Sequence, residues 1–420
     1  MLSRQENGRK VSRKQKKMAF DAGVSGKSAI FVTAKRRCRG LKACRSRHPT
    51  FHIQPHDNHM NNYQDIADLF AIRGTVAEVR PLGEGLINDT LLVTTAEADA
   101  PDYVLQRVNT NVFPDVDMLM GNIAAVTRHI RRKLEAAGAT DIDRRVLTFM
   151  PTKADATKLY AMVEGQPWRM MVFIADAVTK QAVNPESSEA AGEAFGLFQA
   201  MLADIPEQLG ETIKDFHNME FRLEQLREVI AQDPAHRVAT VQPIIDELLG
   251  HAEEMTVAER LGREGRLPKR ICHCDTKVNN MMFDKEDRVL CVIDLDTVMP
   301  NFIFSDYGDF LRTAANFTAE DDPDLTHVGF NMEIFKAFTR GYLRSAKSFL
   351  TPLEKEMLPY AATLFPYMQA VRFLWDYLSG DKYWKCRYPD HNLDRVRNQL
   401  TLFRSAMAKK PEMAAFIASL

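Results

Sequence analysis

Between residues 75 and 175, short hydrophobic runs alternate with turn-forming residues, which is the pattern of a small sheet. The runs that predict strands are 75–79, 90–94, 103–108, 145–150, 159–165 and 168–174. One interval differs, because Leu119, Ile123 and Val126 recur at the spacing of a single helix face, which ends near Gly138. The pattern therefore predicts about five antiparallel strands and one helix in this part of the chain.

Beyond residue 175 the hydrophobic period becomes that of amphipathic helices. Phe195, Phe198 and Leu202 lie on one face of a predicted helix, and the same period recurs at 220–231, 245–262, 333–346, 352–378 and 393–419. The exception is a predicted buried hairpin, in which 280–284 and 289–296 flank the turn "KEDR". We therefore expect a sheet lobe at 60–174 and a larger helical lobe at 175–420.

The beginning of the chain differs from the remainder in charge. Residues 1–59 contain 15 Lys or Arg and 3 Asp or Glu; out of totals of 55 and 56, this leaves 40 and 53 for the remainder. Such a segment is expected to be a disordered basic tail, or an over-extended start that precedes a true beginning at Met60. A transit peptide or nonspecific attraction to nucleic acid also fits this composition, but no specific nucleic-acid partner is predicted.

The overall composition, 45% hydrophobic and 26% charged, is that of an ordinary globular protein. No run approaches 18 consecutive apolar residues, so neither a transmembrane helix nor a membrane partner is predicted. The six cysteines show no paired framework, which favours free thiols and a cytoplasmic location. A monomer is compatible with the sequence, which does not indicate an oligomeric state.

One segment, "CHCDTKVNN" at 272–280, concentrates the residues that can carry chemistry. Its Cys-x-Cys with a single nearby His lacks the spacing and the fourth ligand of a zinc site. It matches instead the H-x-D-x-K-x-x-N spacing of a kinase catalytic loop, and a further acidic residue ends the next strand. The residues of this pattern are His273, Asp275, Lys277, Asn280 and Asp294.

Phosphoryl transfer explains why these residue types occur together, because a hydroxyl must lose its proton while phosphoryl charge is neutralised. Asp275 is the predicted proton acceptor, and Lys277 is predicted to face the γ-phosphate. Asn280 and Asp294 offer the hard oxygen ligands that suit Mg²⁺, and His273 is predicted to brace the loop. An Asx-rich turn before a hairpin would explain the residue types, but not the joint spacing with a second acidic strand end.

At these residues the chain resembles the aminoglycoside phosphotransferase superfamily, kinase-like enzymes that act on small alcohols and sugars. The segments "HCDTKVNN" and "VIDLDTVMPNFIFSDYGDFLR" are similar to the N-acetylhexosamine 1-kinase branch. The similarity extends more thinly to "GEGLINDTLLV", "YVLQRVN" and "GDKYWKCRYPDHNLDR", and it covers most of residues 60–400. It implies an α+β, bilobal protein-kinase-like fold and ATP and Mg²⁺ as cofactors.

The resemblance also implies a nucleotide site. Gly83, Gly85 and Asn88 belong to a loop above the nucleotide, although a plain hairpin turn is a common meaning of Gly-x-Gly. The adenine-binding hinge is expected near Phe173 to Ala175. Relatives place a phosphate-binding lysine on the third strand, where this chain has Arg107, which keeps the charge.

Other positions have less definite roles. The predicted 119–135 helix has no obvious acidic partner for the basic residue of the third strand, since Asn122 and Glu135 are both imperfect candidates. Asp296 either assists the metal or fixes the turn. Asp306 and Asp309 match a D-x-x-D pattern for which a structural role is expected.

For the acceptor, the resemblance implies sugar contacts by Arg372, Tyr383 and Trp384. Aromatic faces pack against the C–H surface of a pyranose, and an arginine can bind its hydroxyls or an acetamido carbonyl. Packing in a helix core is the alternative, which we prefer for Trp375.

The predicted function is an ATP- and Mg²⁺-dependent kinase that phosphorylates the anomeric hydroxyl of N-acetylglucosamine or N-acetylgalactosamine. One alternative is a kinase of another small alcohol, such as an aminoglycoside or an amino alcohol. A nucleotide-binding pseudokinase that acts as a scaffold is another, although it does not explain why Asp275, Lys277, Asn280 and Asp294 are all present.

Overall fold

The computed structural model describes residues 60–82, 88–180 and 182–420, with the side chains of 60–62 excepted. The predicted basic tail at 1–59 and the loop glycines Gly83 and Gly85 lie outside the described residues.

The sheet lobe is built on a five-stranded antiparallel sheet with the strand order β1-β2-β3-β5-β4. Its strands are β1 Val76–Pro81, β2 Asp89–Thr95, β3 Tyr103–Arg107, β4 Tyr160–Val163 and β5 Gln166–Val172. The strand predicted at 145–150 is wrong, because Phe149 forms only a single bridge to Met171. Strand β4 already pairs with 166–169 of β5, so only the last residues of β5 remain for this segment.

Three helices accompany this sheet, where one was predicted: α1 Met60–Ala67, α2 Val116–Ala136 and α3 Ile142–Arg145. Alternate strand residues point to opposite faces of the sheet. Leu105 and Trp168 lie on the face that packs with α1, whereas Val104 packs with Ile123 of α2 on the other face. Helix α2 begins where the Asp115 side chain accepts a hydrogen bond from the backbone of Met118.

The helical lobe contains α4 Pro185–Leu202, α5 Met219–Gln232, α6 Gln242–Gly250, α7 Ala252–Met255, α8 Val257–Arg263, α9 Phe304–Ala314, α10 Met332–Ala346, α11 Pro352–Glu356, α12 Leu358–Ser379 and α13 His391–Ala418. The segment predicted at 352–378 breaks after Glu356, because Pro359 in the first turn of α12 has no N–H to continue the preceding helix. The predicted 245–262 helix is likewise divided into α6, α7 and α8. Helix α9 was not predicted; it is buried on nearly every side, and its polar residues Asp306, Asp309 and Arg312 recur at helical spacing inside the protein instead of facing solvent.

Helix α4 lies deep in the molecule against α10. A Cβ atom at Gly192 would lie 2.1 Å from the Phe338 carbonyl oxygen, and one at Gly341 would lie 1.9 Å from that of Glu189. The two glycines therefore allow the helix backbones to approach closely. This packing holds Phe195 and Phe198 of α4 against His273, in the segment 273–280.

Two short strand pairs support that segment. Strand β6 Arg270–Cys272 pairs with β9 Met299–Asn301, and β7 Met281–Phe283 pairs with β8 Val289–Val292. The second pair is the predicted hairpin. Because the loop 273–280 joins β6 to β7 and residues 293–298 join β8 to β9, both connections lie at the same end of these pairs. Across the residues that the structure describes, no helix combines the length and apolarity needed to cross a bilayer.

Candidate active site

His273 joins the catalytic loop, residues 273–280, to the end of the hairpin. Its Nε2 lies 2.8 Å from the carbonyl oxygen of Ile293, and its Nδ1 accepts a hydrogen bond from the Asp275 N–H at 3.3 Å. These partners define a neutral ring with its proton on Nε2. The ring is fully buried, with Phe195 and Phe198 packed edge-on at centroid distances of 6.1 and 6.0 Å. The arrangement fixes Asp275 relative to the strand that precedes Asp294.

Helix α9 supports the loop backbone with two buried carboxylates. Asp306 accepts hydrogen bonds from the N–H groups of His273 and Cys274 at 3.0 and 2.8 Å. Asp309 accepts from the Thr276 N–H and from Arg312, both at 3.1 Å. These bonds hold Cys274 at φ 63°, a left-handed conformation that a side chain other than glycine rarely adopts. The expected structural role of Asp306 and Asp309 corresponds to these contacts.

Asp275 lies between two polar partners. Lys277 Nζ is 2.8 Å from its Oδ1, and Asn280 Nδ2 is 3.0 Å from its Oδ2 and 2.8 Å from its backbone carbonyl oxygen. Burial alone would raise the pKa of Asp275, but the charge and hydrogen bond of Lys277 outweigh it, so this pKa is lowered. The carboxylate is therefore ionised at neutral pH, as a proton acceptor must be.

Asp294 follows β8 in a left-handed conformation with φ 59° and ψ 59°. The Asn280 carbonyl oxygen accepts from the Ile293 N–H at 2.9 Å, which joins the two segments next to this residue. The Asp294 side chain reaches solvent at one side, but the protein around the rest of it and the negative charges of Asp296 and Asp275 raise its pKa to about 6. The structure thus brings Asp275, Asn280 and Asp294 to one acidic region, which a hard cation would stabilise.

Asp296 lies in a different environment, buried and paired with an arginine from the sheet. Arg169 of β5 binds it with both terminal nitrogens, at 2.5 Å to Oδ1 and 3.0 Å to Oδ2. Asn88 donates to the same Oδ2 at 2.8 Å, and Gln106 accepts from Arg169 at 2.9 Å. Arg169 was missed in the sequence because nothing in the pattern of β5 distinguishes it from an exposed strand residue.

Arg107 does not reach this acidic region. It forms an ion pair with Asp89, where β2 begins and β3 ends. On the neighbouring strand β5, it lies opposite Trp168, whereas Gln106 lies opposite Arg169. Successive strand residues face opposite sides, so Arg107 shares the face of Trp168, which packs with α1. Arg107 therefore lies on the side of the sheet away from Asp296, whereas Arg169 lies on the side of Asp296.

The side chain of helix α2 that reaches the segment after Asp294 is an amide, Asn122, rather than a carboxylate. Asn122 Nδ2 donates to the carbonyl oxygens of Gly210 and Val298 at 2.8 and 3.0 Å, and its Oδ1 accepts from the Gly210 N–H. Glu135 is exposed near the end of the helix. Of the two candidates on this helix, only Asn122 therefore reaches the segment that follows Asp294.

The segment after β5 passes beside the catalytic hairpin. Phe173 donates its N–H to the Asp102 carbonyl oxygen at 2.9 Å, and Ala175 is exposed. Val178 then forms a bridge with Phe283 of β7, through backbone bonds of 2.9 and 2.8 Å. The expected hinge region thus lies between the sheet and the strand that begins just after Asn280.

A second group of side chains forms around Arg372 of α12. Its guanidinium carbon lies 5.3 Å from the Phe216 ring centroid and 5.2 Å from that of Trp384. Buried Asp376 accepts hydrogen bonds from the N–H groups of Tyr383 and Trp384 at 2.8 and 3.0 Å, which shapes the loop after the helix. The Tyr383 side chain is exposed, whereas Trp375 packs against the helical core as expected.

This group lies close enough to the catalytic loop to interact with it electrostatically. The His217 ring stacks on Phe216 at 4.3 Å, and its Nδ1 lies 3.1 Å from the Ser305 hydroxyl. Burial and the charges of Arg372 and Arg222 hold the pKa of His217 well below its ordinary value, while the charge of Asp275 opposes them. We call Phe216, His217, Arg372, Tyr383 and Trp384 the acceptor surface, after the role that we propose for them below. Phe216 and His217 were missed because they are separated from the rest by more than 150 positions.

Together, the fold and the site define a class: kinase-like phosphotransferases with an alcohol group as acceptor. The profile of the Phosphotransferase enzyme family (APH) matches residues 78–345, and the chain belongs to this family. The predicted superfamily and the bilobal α+β fold are thereby confirmed. The match does not distinguish between branches of the family.

Two solved structures illustrate the likeness in fold. An aminoglycoside phosphotransferase from Alicyclobacillus acidocaldarius aligns over 89% of this chain and 98% of its own, with a TM-score of 0.54 and 13% identity. A Ralstonia eutropha protein described as an aminoglycoside phosphotransferase covers 86% and 98%, with a TM-score of 0.50 and 14% identity. At such low identity, these structures establish the fold alone.

Proposed function

We propose that this phosphotransferase uses ATP and Mg²⁺ to phosphorylate the anomeric hydroxyl of an N-acetylhexosamine, N-acetylglucosamine or N-acetylgalactosamine, to the sugar 1-phosphate. The observation that carries the proposal is Arg372, a cation held between the rings of Phe216 and Trp384, of which Phe216 packs against the cluster that contains Cys274 of the catalytic loop. A cytoplasmic location and a monomeric state stay predictions.

The catalytic loop supplies the groups that such a reaction requires. Asp275 accepts the proton of the attacking hydroxyl, and Lys277 places a positive charge next to the phosphoryl group. Asn280 and Asp294 would hold Mg²⁺, and the raised pKa of Asp294, caused by the surrounding protein and by the neighbouring carboxylates, fits a site that a cation stabilises. Bound Mg²⁺ would neutralise charge on the phosphate oxygens. We assign the nucleotide to the region between Asn88 and the segment Phe173–Ala175.

The acceptor surface has the chemistry of a sugar site. Trp384 and the exposed ring of Tyr383 are 4.6 Å apart at 71°, so they present two differently oriented apolar faces to a pyranose. Burial lowers the pKa of Arg372, but its guanidinium stays protonated at neutral pH and can donate to hydroxyls or to an acetamido carbonyl. The positive charges of Arg372 and Arg222 near His217 disfavour a cationic acceptor.

The test is product analysis after incubation with ATP and a panel of free sugars. We expect phosphate on the anomeric oxygen of N-acetylglucosamine or N-acetylgalactosamine, and much slower turnover of glucose, which lacks the acetamido group. Phosphorylation at another carbon, or equal turnover of all hexoses, would contradict the proposal.

A kinase of a cationic small alcohol is the second candidate. The acidic surplus of residues 60–420, with 53 Asp or Glu and 40 Lys or Arg, is the observation that favours it. Diffuse surface charge attracts cations but does not determine one pocket. ATP consumption with a panel of aminoglycosides and amino alcohols separates the candidates, because turnover with that set alone would exclude the neutral sugars.

A further inference from the structure

Three polar side chains of the sheet lobe donate hydrogen bonds to the short segment that follows Asp294. Arg169 and Asn88 bind the Asp296 carboxylate, and Asn122 binds the Val298 carbonyl oxygen at 3.0 Å. They come from β5, from the residue just before β2, and from α2. Residues 296–298, in the segment 293–298 between β8 and β9, are therefore the place where β5, α2 and the residue before β2 all contact the helical lobe.

The Asp296 carboxylate is committed to these contacts. Oδ1 accepts from Arg169 at 2.5 Å, and Oδ2 accepts from Arg169 at 3.0 Å and from Asn88 at 2.8 Å. Both charged side chains are nearly inaccessible, with 3% of Arg169 and 4% of Asp296 exposed. Coordination of Mg²⁺ by Asp296 would break a buried bidentate ion pair and leave the guanidinium without its counter-charge. Among the described residues, Asp294 has no such ion pair, and its carboxylate reaches solvent, so it can bind a cation.

We infer that Asp296 is not a second metal ligand but belongs with Asn88 and Arg169 to a cluster, here called the interlobe cluster, that holds the start of β2 and the sheet against residues 293–298, the segment that contains Asp294. Asn88 is central to this role, because its Oδ1 also accepts from the Asn109 N–H at 3.0 Å, while its Nδ2 binds Asp296. The cluster thereby fixes the position of Asn88 and the sheet relative to the segment that contains Asp294. All three are positioning residues. The inference rests on the proposed use of ATP and Mg²⁺, but not on the identity of the sugar.

The experiment separates metal binding from positioning by measuring ADP affinity in EDTA and the Mg²⁺ concentration that gives half-maximal ATP turnover. Asp296→Asn should weaken ADP binding in EDTA by about threefold or more and lower kcat by about tenfold or more, since misplaced groups react slowly. Its Mg²⁺ midpoint should stay within about twofold of the unchanged protein. Asp294→Asn is the comparison, with a midpoint raised by about tenfold or more.

Arg169→Met should reproduce the losses of Asp296→Asn, and the double variant should be no worse than either single variant, because the residues act as a unit. Arg169→Lys should recover part of the ADP affinity, since it keeps the charge but loses the bidentate geometry. If the buried substitutions prevent folding, Asn88→Ala leaves the ion pair in place and should still weaken ADP binding. Lys158→Met, which removes an exposed ion pair with Asp117 in the same lobe, is the matched control.

Unchanged ADP affinity in EDTA together with a tenfold higher Mg²⁺ midpoint for Asp296→Asn would overturn the inference and make Asp296 a metal ligand. Additive losses in the double variant would also overturn it. Turnover of ATP without any divalent cation would instead refute the proposed cofactor, and the ADP measurements in EDTA would still decide the role of the cluster.

Discussion

Two parts of the active site are held together by different forces. The catalytic loop is fixed by buried charges with several hydrogen bonds each, as Asp306 binds the backbone of His273 and Cys274. In the acceptor surface, buried Asp376 fixes the backbone of Tyr383 and Trp384, but the side chains contact one another mainly through their rings, and Tyr383 is 58% exposed. Removing a partner from a buried charge network leaves an unpaired charge, whereas removing a ring loses contact area in proportion to its atoms. The loop should therefore set the rate, and the acceptor surface should set the choice of substrate.

The largest effect should come from Asp275→Asn, which removes the proton acceptor and keeps the hydrogen-bonding shape. We expect kcat to fall by about 10²- to 10⁴-fold, with ADP affinity nearly unchanged. Steady-state kinetics and calorimetry measure the two quantities. Asp287→Asn, an exposed carboxylate in the turn of the adjacent hairpin, is the control and should behave as the unchanged protein. Full activity of Asp275→Asn would remove this residue from the mechanism, while loss of ADP binding would assign it a structural role.

On the acceptor side, Arg372→Met should chiefly raise the KM for the sugar, by about 10- to 100-fold, because a charge-assisted hydrogen bond is lost while the packed stem is kept. The kcat value and the KM for ATP should change little. Arg397→Met, which alters an exposed arginine on α13, serves as the control. A fall in kcat with an unaltered sugar KM would mean that Arg372 supports the loop instead of the acceptor, and the comparison of the two regions would fail.

The pH dependence of Mg²⁺ binding tests the loop side. The surrounding protein and the neighbouring carboxylates raise the pKa of Asp294 to about 6, so protons should compete with Mg²⁺ below that pH. We expect the apparent Mg²⁺ affinity to fall by up to about tenfold per pH unit below 6 and to be nearly constant between 7 and 8. Asp294→Asn should bind Mg²⁺ weakly with little dependence on pH, and an unchanged pH profile in that variant would assign the titration to another group.

The same shift has a consequence for stability. The folded protein holds the Asp294 proton more tightly than the unfolded chain, so without Mg²⁺ this group adds stability as pH falls from 7 through 6 toward its ordinary value. Burial likewise raises the pKa of Glu259 to about 7, so this group also makes the folded protein more stable as the pH falls. The difference in thermal unfolding between the unchanged protein and Asp294→Asn isolates the contribution of Asp294. Saturating Mg²⁺ should remove that contribution, because it favours the ionised form.

The same contrast explains which parts of the molecule could be predicted. Asp275, Asn280 and Asp294 lie within one motif and one hairpin, so their convergence follows from local spacing. Arg169 and Asp296 lie 127 positions apart. Only the pairing of β3 with β5 shows that Arg169, not Arg107, lies on the side of the sheet that faces Asp296. The residue types of a strand do not reveal which face becomes the cleft. Helix α9 was missed for a related reason, since its polar residues Asp306, Asp309 and Arg312 face the protein interior and were interpreted as part of a motif, not as one face of a helix.

The smallest effect should come from the rim of the acceptor surface. Tyr383→Phe keeps the ring beside Trp384 and removes only an exposed hydroxyl, so the sugar KM should change by less than about threefold. Tyr383→Ala should raise it further, by about threefold to tenfold, because the apolar face is lost. Tyr388→Phe, in the same loop, is the matched control. If the phenylalanine variant were as impaired as the alanine variant, the hydroxyl rather than the ring would bind the sugar, and this surface would depend on polar contacts as the catalytic loop does.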